Sequence, residues 1–133
     1  MSTKRSFQSA KEVMTKKVFF VDGMATAKDA VEIMRREKVD ALIVEKRHAQ
    51  DAYGIVMVND FIKGVIIPDK TSEEVNVFEI MTKPAICVPA NMDIRYVASL
   101  LMKVGLRMAP VEENGNYIGM VSLSDLILDN ILF

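Results

Sequence analysis

Near the end of the chain, Ser122-Leu123-Ser124-Asp125 gathers two hydroxyls and a carboxylate within four positions. An ionised carboxylate accepts hydrogen bonds and donates none, which suits it to a diol. Hydroxyls beside the free N–H groups of a helix start suit an anion. The same residue types cap helices with no ligand present, because their side chains satisfy an orphan N–H. The sequence supports both readings. Arg107 offers positive charge for a phosphate, or serves as a solvated or ion-paired residue at a strand end.

Catalytic chemistry finds little material. The sequence has no Gly-rich phosphate loop, no metal-ligand cluster, and no Cys/His or Ser/His pairing at recognisable spacing, so an enzyme is not expected. Cys87, the only cysteine, lies in the apolar run Ala85-Ile86-Cys87-Val88, which predicts a buried and inert thiol. His48, the only histidine, lies in the polar stretch from Glu45 to Asp51, which reads as a solvated turn. Met34, Met102, Met108 and Met120 fall on apolar faces and read as core filler, and the basic pairs Arg35-Arg36 and Lys46-Arg47 read as solvated.

The elements that position these residues occur twice. Val13-Met14-Thr15-Lys16 returns 67 positions later as Ile80-Met81-Thr82-Lys83, and Gly54 to Asp60 returns 65 positions later as Gly119 to Asp125. The two-residue difference predicts one longer turn in the first copy, around Lys46 to Asp51. Two copies are too few for a solenoid, so they imply two pseudo-symmetric half-domains.

Each copy reads helix, strand, helix, strand, strand, helix. In the first, Val18-Phe19-Phe20-Val21 is extended. Thr26 and Asp29 open a helix with Ala27, Ala30, Val31 and Met34 inside and Glu32, Arg35 and Arg36 outside. Ala41 to Val44 and Gly54 to Val58 are apolar and β-branched enough to be buried strands, and Asn59-Asp60 caps a closing helix through Phe61, Ile62 and Val65. In the second copy Ile86-Cys87-Val88 is the extended piece. Asp93 caps a helix buried through Ile94, Val97, Ala98 and Leu101, and Gly105 ends it. Met108 to Val111 and Tyr117 to Val121 are strands joined across Asn114-Gly115, a hairpin signal, and Ser124-Asp125 opens the last helix, with Leu126, Ile127, Ile131 and Leu132. A small sheet covers one side of its helices only, so the fold class expected is α/β (α+β), with the two repeats packed sheet to sheet as one module. The expected divisions are an extension at 1–10, repeats at 11–67 and 76–133, and a polar linker at 68–75.

At 133 residues, half of them hydrophobic, the chain is long enough for one sizeable core. Its 17 basic and 18 acidic residues nearly cancel without long blocks, which argues against nucleic acid or an anionic membrane as partner. No apolar run approaches the ~20 residues of a membrane span, and the polar start Ser2-Thr3-Lys4-Arg5-Ser6 is not followed by a signal-peptide core, so a cytoplasmic setting is expected.

With these residues in place, the chain resembles a tandem pair of cystathionine-β-synthase (CBS) domains, a Bateman module, from about Lys11 to Phe133. The resemblance rests on the Val/Ile-Met-Thr opening of each copy, on Gly105-Leu106-Arg107-Met108-Ala109-Pro110-Val111, and on the motif completed by Gly119, Ser122 and Asp125. It implies a non-catalytic sensor that binds an adenosine-containing ligand (AMP, ADP, ATP or a relative such as S-adenosylmethionine) in clefts between the copies and requires no cofactor. By this resemblance Asp125 accepts from the ribose hydroxyls, Ser122 and Ser124 face the ribose or phosphate, and Arg107 matches a basic position of some nucleotide-binding members. Ala85, Ile86, Met108, Pro110, Met120 and Val121 would line an apolar slot for the adenine.

The first copy departs from this pattern. Asp60 matches Asp125, but Met57 replaces Ser122, Asn59 replaces Ser124 and Asp40 replaces Arg107. The cleft built on these residues, with Val18 and Phe19, is expected to be weaker, empty or adapted to something else. The resemblance also implies a homodimer formed through the helices, to which the apolar run from Leu126 to Phe133 would contribute, and output through a regulated partner protein. A structural dimerisation or adaptor module with vestigial clefts is the alternative.

Overall fold

The computed structural model describes residues 7–128. The polar start at 2–6 and the apolar closing residues Ile131, Leu132 and Phe133 lie outside the described residues. The chain divides into two compact units: residues 19–85 form one, and residues through Val18 join those from Ile86 onward in the other. The opening helix of each copy therefore belongs with the strands of the other copy.

In the unit of residues 19–85, β1 (Phe20–Val21) lies parallel to β2 (Ala41–Val44), which pairs antiparallel with β3 (Gly54–Met57). Helix α2 (Ala27–Glu37) starts at a reciprocal capping box. Thr26 Oγ1 accepts the Asp29 N–H at 3.1 Å, and the Asp29 carboxylate accepts the Thr26 N–H at 3.2 Å. As the periodicity predicts, α2 buries Ala27, Ala30 and Met34 against Leu42, Val44 and Val56 of the sheet. Helix α3 (Val58–Phe61) runs into a π-helical turn, Ile62–Ile66. Gly64 in that turn lies against Ile80 of α4 (Val77–Ile80), where an added Cβ would overlap the isoleucine side chain. Thr82 then continues beside β3, exchanging two backbone hydrogen bonds of 2.9 Å with Ile55.

In the other unit, β4 (Val88–Pro89) is parallel to β5 (Met108–Glu113), and β5 is antiparallel to β6 (Asn116–Ser122). The Asn114-Gly115 turn has positive φ at both residues, 54° and 83°, as a two-residue hairpin requires. Helix α5 (Ile94–Val104) begins at Asp93, whose carboxylate accepts the Arg95 N–H at 3.1 Å, and ends at Gly105 in the left-handed region at φ 71°. Ile94, Val97 and Leu101 pack with Ala109, Val111 and Val121. The short helix α1 (Ala10–Val13) is held by a Ser9/Glu12 capping box, and Thr15 exchanges backbone hydrogen bonds of 2.8 and 2.9 Å with Met120. Helix α6 (Leu123–Leu128) closes the described chain.

Several expectations need correction. Met102 is not core filler: it is 69% exposed on α5, because it falls outside the stripe of Ile94, Val97 and Leu101 that the helix buries. Cys87 is half-buried rather than buried, since the strand forms at Val88–Pro89, after it. The closing helices also begin earlier than the Asn59-Asp60 and Ser124-Asp125 pairs suggest. Met57 and Ser122 occupy the positions that precede the first turn, so both aspartates lie inside it.

Candidate functional site

The β5–β6 hairpin assembles the hydroxyl and carboxylate cluster. Met108 stands opposite Ser122 across the ladder, and the Leu123 N–H donates to the Arg107 carbonyl at 2.9 Å. Arg107, Ser122, Ser124 and Asp125 are thereby gathered where β6 passes into α6. Directly opposed residues share a face of the sheet, so Met108, Pro110, Met120 and Ser122 lie on one side and Ala109, Val111 and Val121 on the other.

This division sorts the predicted adenine-lining residues. Val121 points into the helix-side core and is fully buried, so its side chain is a packing group and not a lining one. Pro110 and Met120, also buried, are on the same face as Ser122, and Met108 there is half-buried. Ile86 is exposed and precedes β4, whereas Ala85 belongs to the unit of residues 19–85, where its N–H donates to the Tyr53 carbonyl at 2.8 Å.

Hydrogen bonding distinguishes the two copies. Ser122 Oγ accepts the Asp125 N–H at 3.0 Å and so caps α6 itself. The half-buried Asp125 carboxylate has no hydrogen-bond or ion-pair partner among the described residues. Ser124 and Arg107 are exposed. In the first copy Met57 has no hydroxyl to accept the Asp60 N–H, and the bond present is the other half of a capping box: Asp60 Oδ2 accepts the Met57 N–H at 2.7 Å. Met57 is paired with Ala41 on the face equivalent to that of Ser122, Asn59 and Asp40 are exposed, and Val18 and Phe19 are half-buried just before β1.

Sequence reasoning missed one cluster altogether. Asp51, in the longer turn of the first copy, accepts hydrogen bonds from Lys83 Nζ at 2.7 Å and from the Arg47 N–H and Nε at 3.0 and 3.2 Å. Lys83 first, and then the Arg47 backbone, hold this carboxyl well below the usual carboxylate range. Lys46, read as solvated, lies 4.8 Å from the Tyr53 ring centroid. The available signal was the two-residue excess in this turn. Among the described residues no group of His, Cys, Asp and Glu is placed to hold a metal, and no helix is long and apolar enough to cross a membrane.

Comparison with known proteins agrees with this architecture. The CBS domain family model matches residues 10–66 and 77–129. An uncharacterised protein of Methanopyrus kandleri, MK0525, is 27% identical over 120 residues, covering 90% of this chain and 61% of that protein. The mitochondrial CBS domain-containing protein CBSX3 of Arabidopsis thaliana is 31% identical over 105 residues, covering 77% and 51%. The chain thus spans about half to three-fifths of the length of these curated relatives. The crystal structure of the hexameric CBS-CP12 protein from bloom-forming cyanobacteria superposes with a TM-score of 0.90 at 36% identity, covering 95% of this chain and 70% of that one. With two matched segments, two three-stranded sheets and a β-α-β-β-α order in each copy, the chain belongs to the CBS domain family and is a tandem CBS-domain pair.

Proposed function

We propose that this chain is a non-catalytic regulatory module whose second copy binds an adenosine-containing ligand, such as AMP, ADP, ATP or S-adenosylmethionine. The observation that carries this reading is the division of labour at α6. Ser122 Oγ accepts the Asp125 N–H at the helix start, while the Asp125 carboxylate has no hydrogen-bond partner among the described residues and is available to a ribose diol. Arg107 and the Ser124 hydroxyl, both exposed nearby, suit a phosphate or other polar tail. The first copy is the poorer site, because one oxygen of Asp60 is already spent on the Met57 N–H and Asp40 brings negative charge where Arg107 brings positive.

Output through assembly, as a homodimer, or through a regulated partner in the cytoplasm completes the reading. Exposed apolar side chains on the helices, Tyr96 and Met102 on α5 and Ile127 and Leu128 on α6, supply surface for association and also favour the alternative of an adaptor module with unused clefts. Isothermal titration with AMP, ADP, ATP, NAD and S-adenosylmethionine, repeated on Asp125→Ala, decides between the two. Saturable binding that the substitution abolishes supports the sensor. A folded wild type that binds none of the five supports the adaptor.

A further inference from the structure

A groove lies within the unit of residues 19–85, between α2 and the α3 helix with its π-helical continuation. Ala27 and Val31 line it from α2, Phe61, Val65 and Ile66 from the other side, and Ser72 of the linker joins them. Backbone bonds hold the linker there: the Lys28 N–H donates to the Ser72 carbonyl and the Lys70 N–H to the Val65 carbonyl, both at 3.0 Å. The apolar lining continues onto the open surface, where Ile66 is 67% and Ile67 72% exposed. Two cations stand along this groove. Lys28 and Arg35 both line it and are exposed, and neither has an ion-pair partner among the described residues. Arg36 is paired with Glu37 at 3.4 Å, Asp29 is committed to the α2 capping box, and Glu32 does not line the groove. Seven residues of helix separate Lys28 from Arg35, about 10 Å or two turns, so both stand on one side of α2. The second copy carries no such pair. Sixty-seven positions on, Lys28 becomes Arg95, whose guanidinium donates to the Tyr96 hydroxyl at 2.8 Å, and Arg35 becomes Met102.

We propose that this groove docks an acidic amphipathic helix of a partner protein, with its apolar face on Val31, Phe61 and Ile66 and two carboxylates, about two turns apart, against Lys28 and Arg35. The charges choose among occupants. A second copy meeting this face by two-fold symmetry would bring the same unpaired cations together, which repels. A bilayer surface is flat, whereas a helix offers a ridge of side chains that fills a groove. Burial of that ridge supplies the attraction, and the flanking carboxylates set its register and exclude basic partners. The groove lies within one compact unit and uses no residue of the Ser122–Asp125 cluster, so this inference goes beyond the adenosyl reading and does not depend on it.

The test follows the fluorescence anisotropy of a labelled helical peptide as the 133-residue chain is added. The peptide has about 14 residues, with leucines at i, i+3, i+4 and i+7 and glutamates seven residues apart beside that stripe. A control peptide carries lysines in place of the glutamates. The acidic peptide is expected to bind saturably and the basic one about tenfold more weakly, and the double variant Lys28→Glu with Arg35→Glu should reverse that order. Ile66→Ser should weaken the acidic peptide about three- to tenfold, whereas Arg95→Glu and Asp125→Ala should leave it unchanged. Lys28, Arg35 and Ile66 are exposed, so their substitution leaves the core intact. A folded chain that binds the acidic peptide no better than the basic one overturns the proposal. An equal loss in Arg95→Glu also overturns it, because it marks attraction to positive charge in general. Sedimentation velocity without peptide and flotation with phosphatidylglycerol vesicles address the other occupants. If the Lys28/Arg35 variant changes the protein's mass or abolishes vesicle binding while leaving the peptide bound as before, the groove belongs to a second copy or a membrane and the proposal falls. Since Asp125→Ala is expected to abolish nucleotide binding and spare the peptide, failure of either reading shows without the other.

Discussion

The Met14 side chain lies directly over Gly119, so that a Cβ at position 119 would collide with the thioether and stand 2.6 Å from the Thr15 carbonyl oxygen. Met81 lies over Gly54 in the same way, with its sulfur 2.8 Å from where that Cβ would be. The two repeated motifs are therefore the halves of one contact, and each copy's methionine covers the other copy's glycine. A glycine is required because the Met-Thr segment runs as an extra edge beside the strand, closer than a side chain permits.

Substitution of the two glycines should not be equally costly. At Gly119 the obstacle includes backbone, which cannot swing aside, whereas at Gly54 the nearest atom is the flexible end of Met81 and the next ones, Thr82 O and Val44 Cβ, are both at 3.3 Å. Gly119→Ala is expected to destabilise by about 2–4 kcal/mol and Gly54→Ala by about 1–2 kcal/mol. Urea unfolding of the two variants measures the difference, and equal losses would contradict the backbone argument.

The elements of each copy were legible in the sequence because their signals are local. The Thr26/Asp29 box, the Asp93 cap, Gly105 and the Asn114-Gly115 turn all sit where the sequence predicts them. The exchange of opening helices was not legible, since the Met14–Gly119 contact spans most of the chain and composition carries no record of which partner a short helix takes. At the site, the residue types of Ser122 and Asp125 were readable, but not which of them caps the helix. That depends on β6 ending at Ser122 and α6 beginning at the next residue, Leu123, and boundaries are the least certain part of a sequence reading. Met102 misled for a related reason, as an apolar residue on an amphipathic helix says nothing of which side is covered.

Ser122 and Ser124 should separate capping from ligand binding. Ser122 Oγ accepts the Asp125 N–H, so Ser122→Ala is expected to cost about 1 kcal/mol of stability as well as ligand affinity. Ser124 is exposed and makes no such bond, so Ser124→Ala should fall within about 0.5 kcal/mol of wild type while still weakening a phosphate-bearing ligand. Urea midpoints set against titration of the same variants give both quantities. A stability loss in Ser124→Ala as large as that in Ser122→Ala would show the cap to be misassigned.

Asp51 predicts a distinctive acid response. Its carboxyl titrates lower in the folded protein than in the unfolded chain, because Lys83 and Arg47 favour the ionised form. As pH falls below about 4, the unfolded state takes up this proton first, and the stability Asp51 contributes declines toward its lower folded pKa. Above that range the contribution is complete. Urea midpoints of the wild type and Asp51→Asn between pH 3 and 6 should differ by a constant amount above pH 5 and converge below about 4, with the other carboxylates cancelling in the comparison. Parallel curves throughout would show that the Asp51–Lys83 pair is not formed in solution.

Arg107 is expected to discriminate among ligands by charge. Its backbone is fixed by the Leu123 N–H bond to its carbonyl, while its guanidinium is exposed and screened by solvent, so its effect on affinity is small and depends on salt. Arg107→Gln should weaken AMP and ATP by about two- to fivefold at low ionic strength and leave adenosine unchanged. The deficit should shrink as salt is raised, because both the wild-type attraction and its loss are electrostatic. Conversely, Asp40→Arg with Met57→Ser gives the first copy the two features it lacks, a basic group and a hydroxyl that can accept the Asp60 N–H. Calorimetric titration of that double variant should show a second equivalent of AMP bound. If stoichiometry stays at that of the wild type while Asp125→Ala still abolishes its binding, the difference between the copies lies outside these two positions.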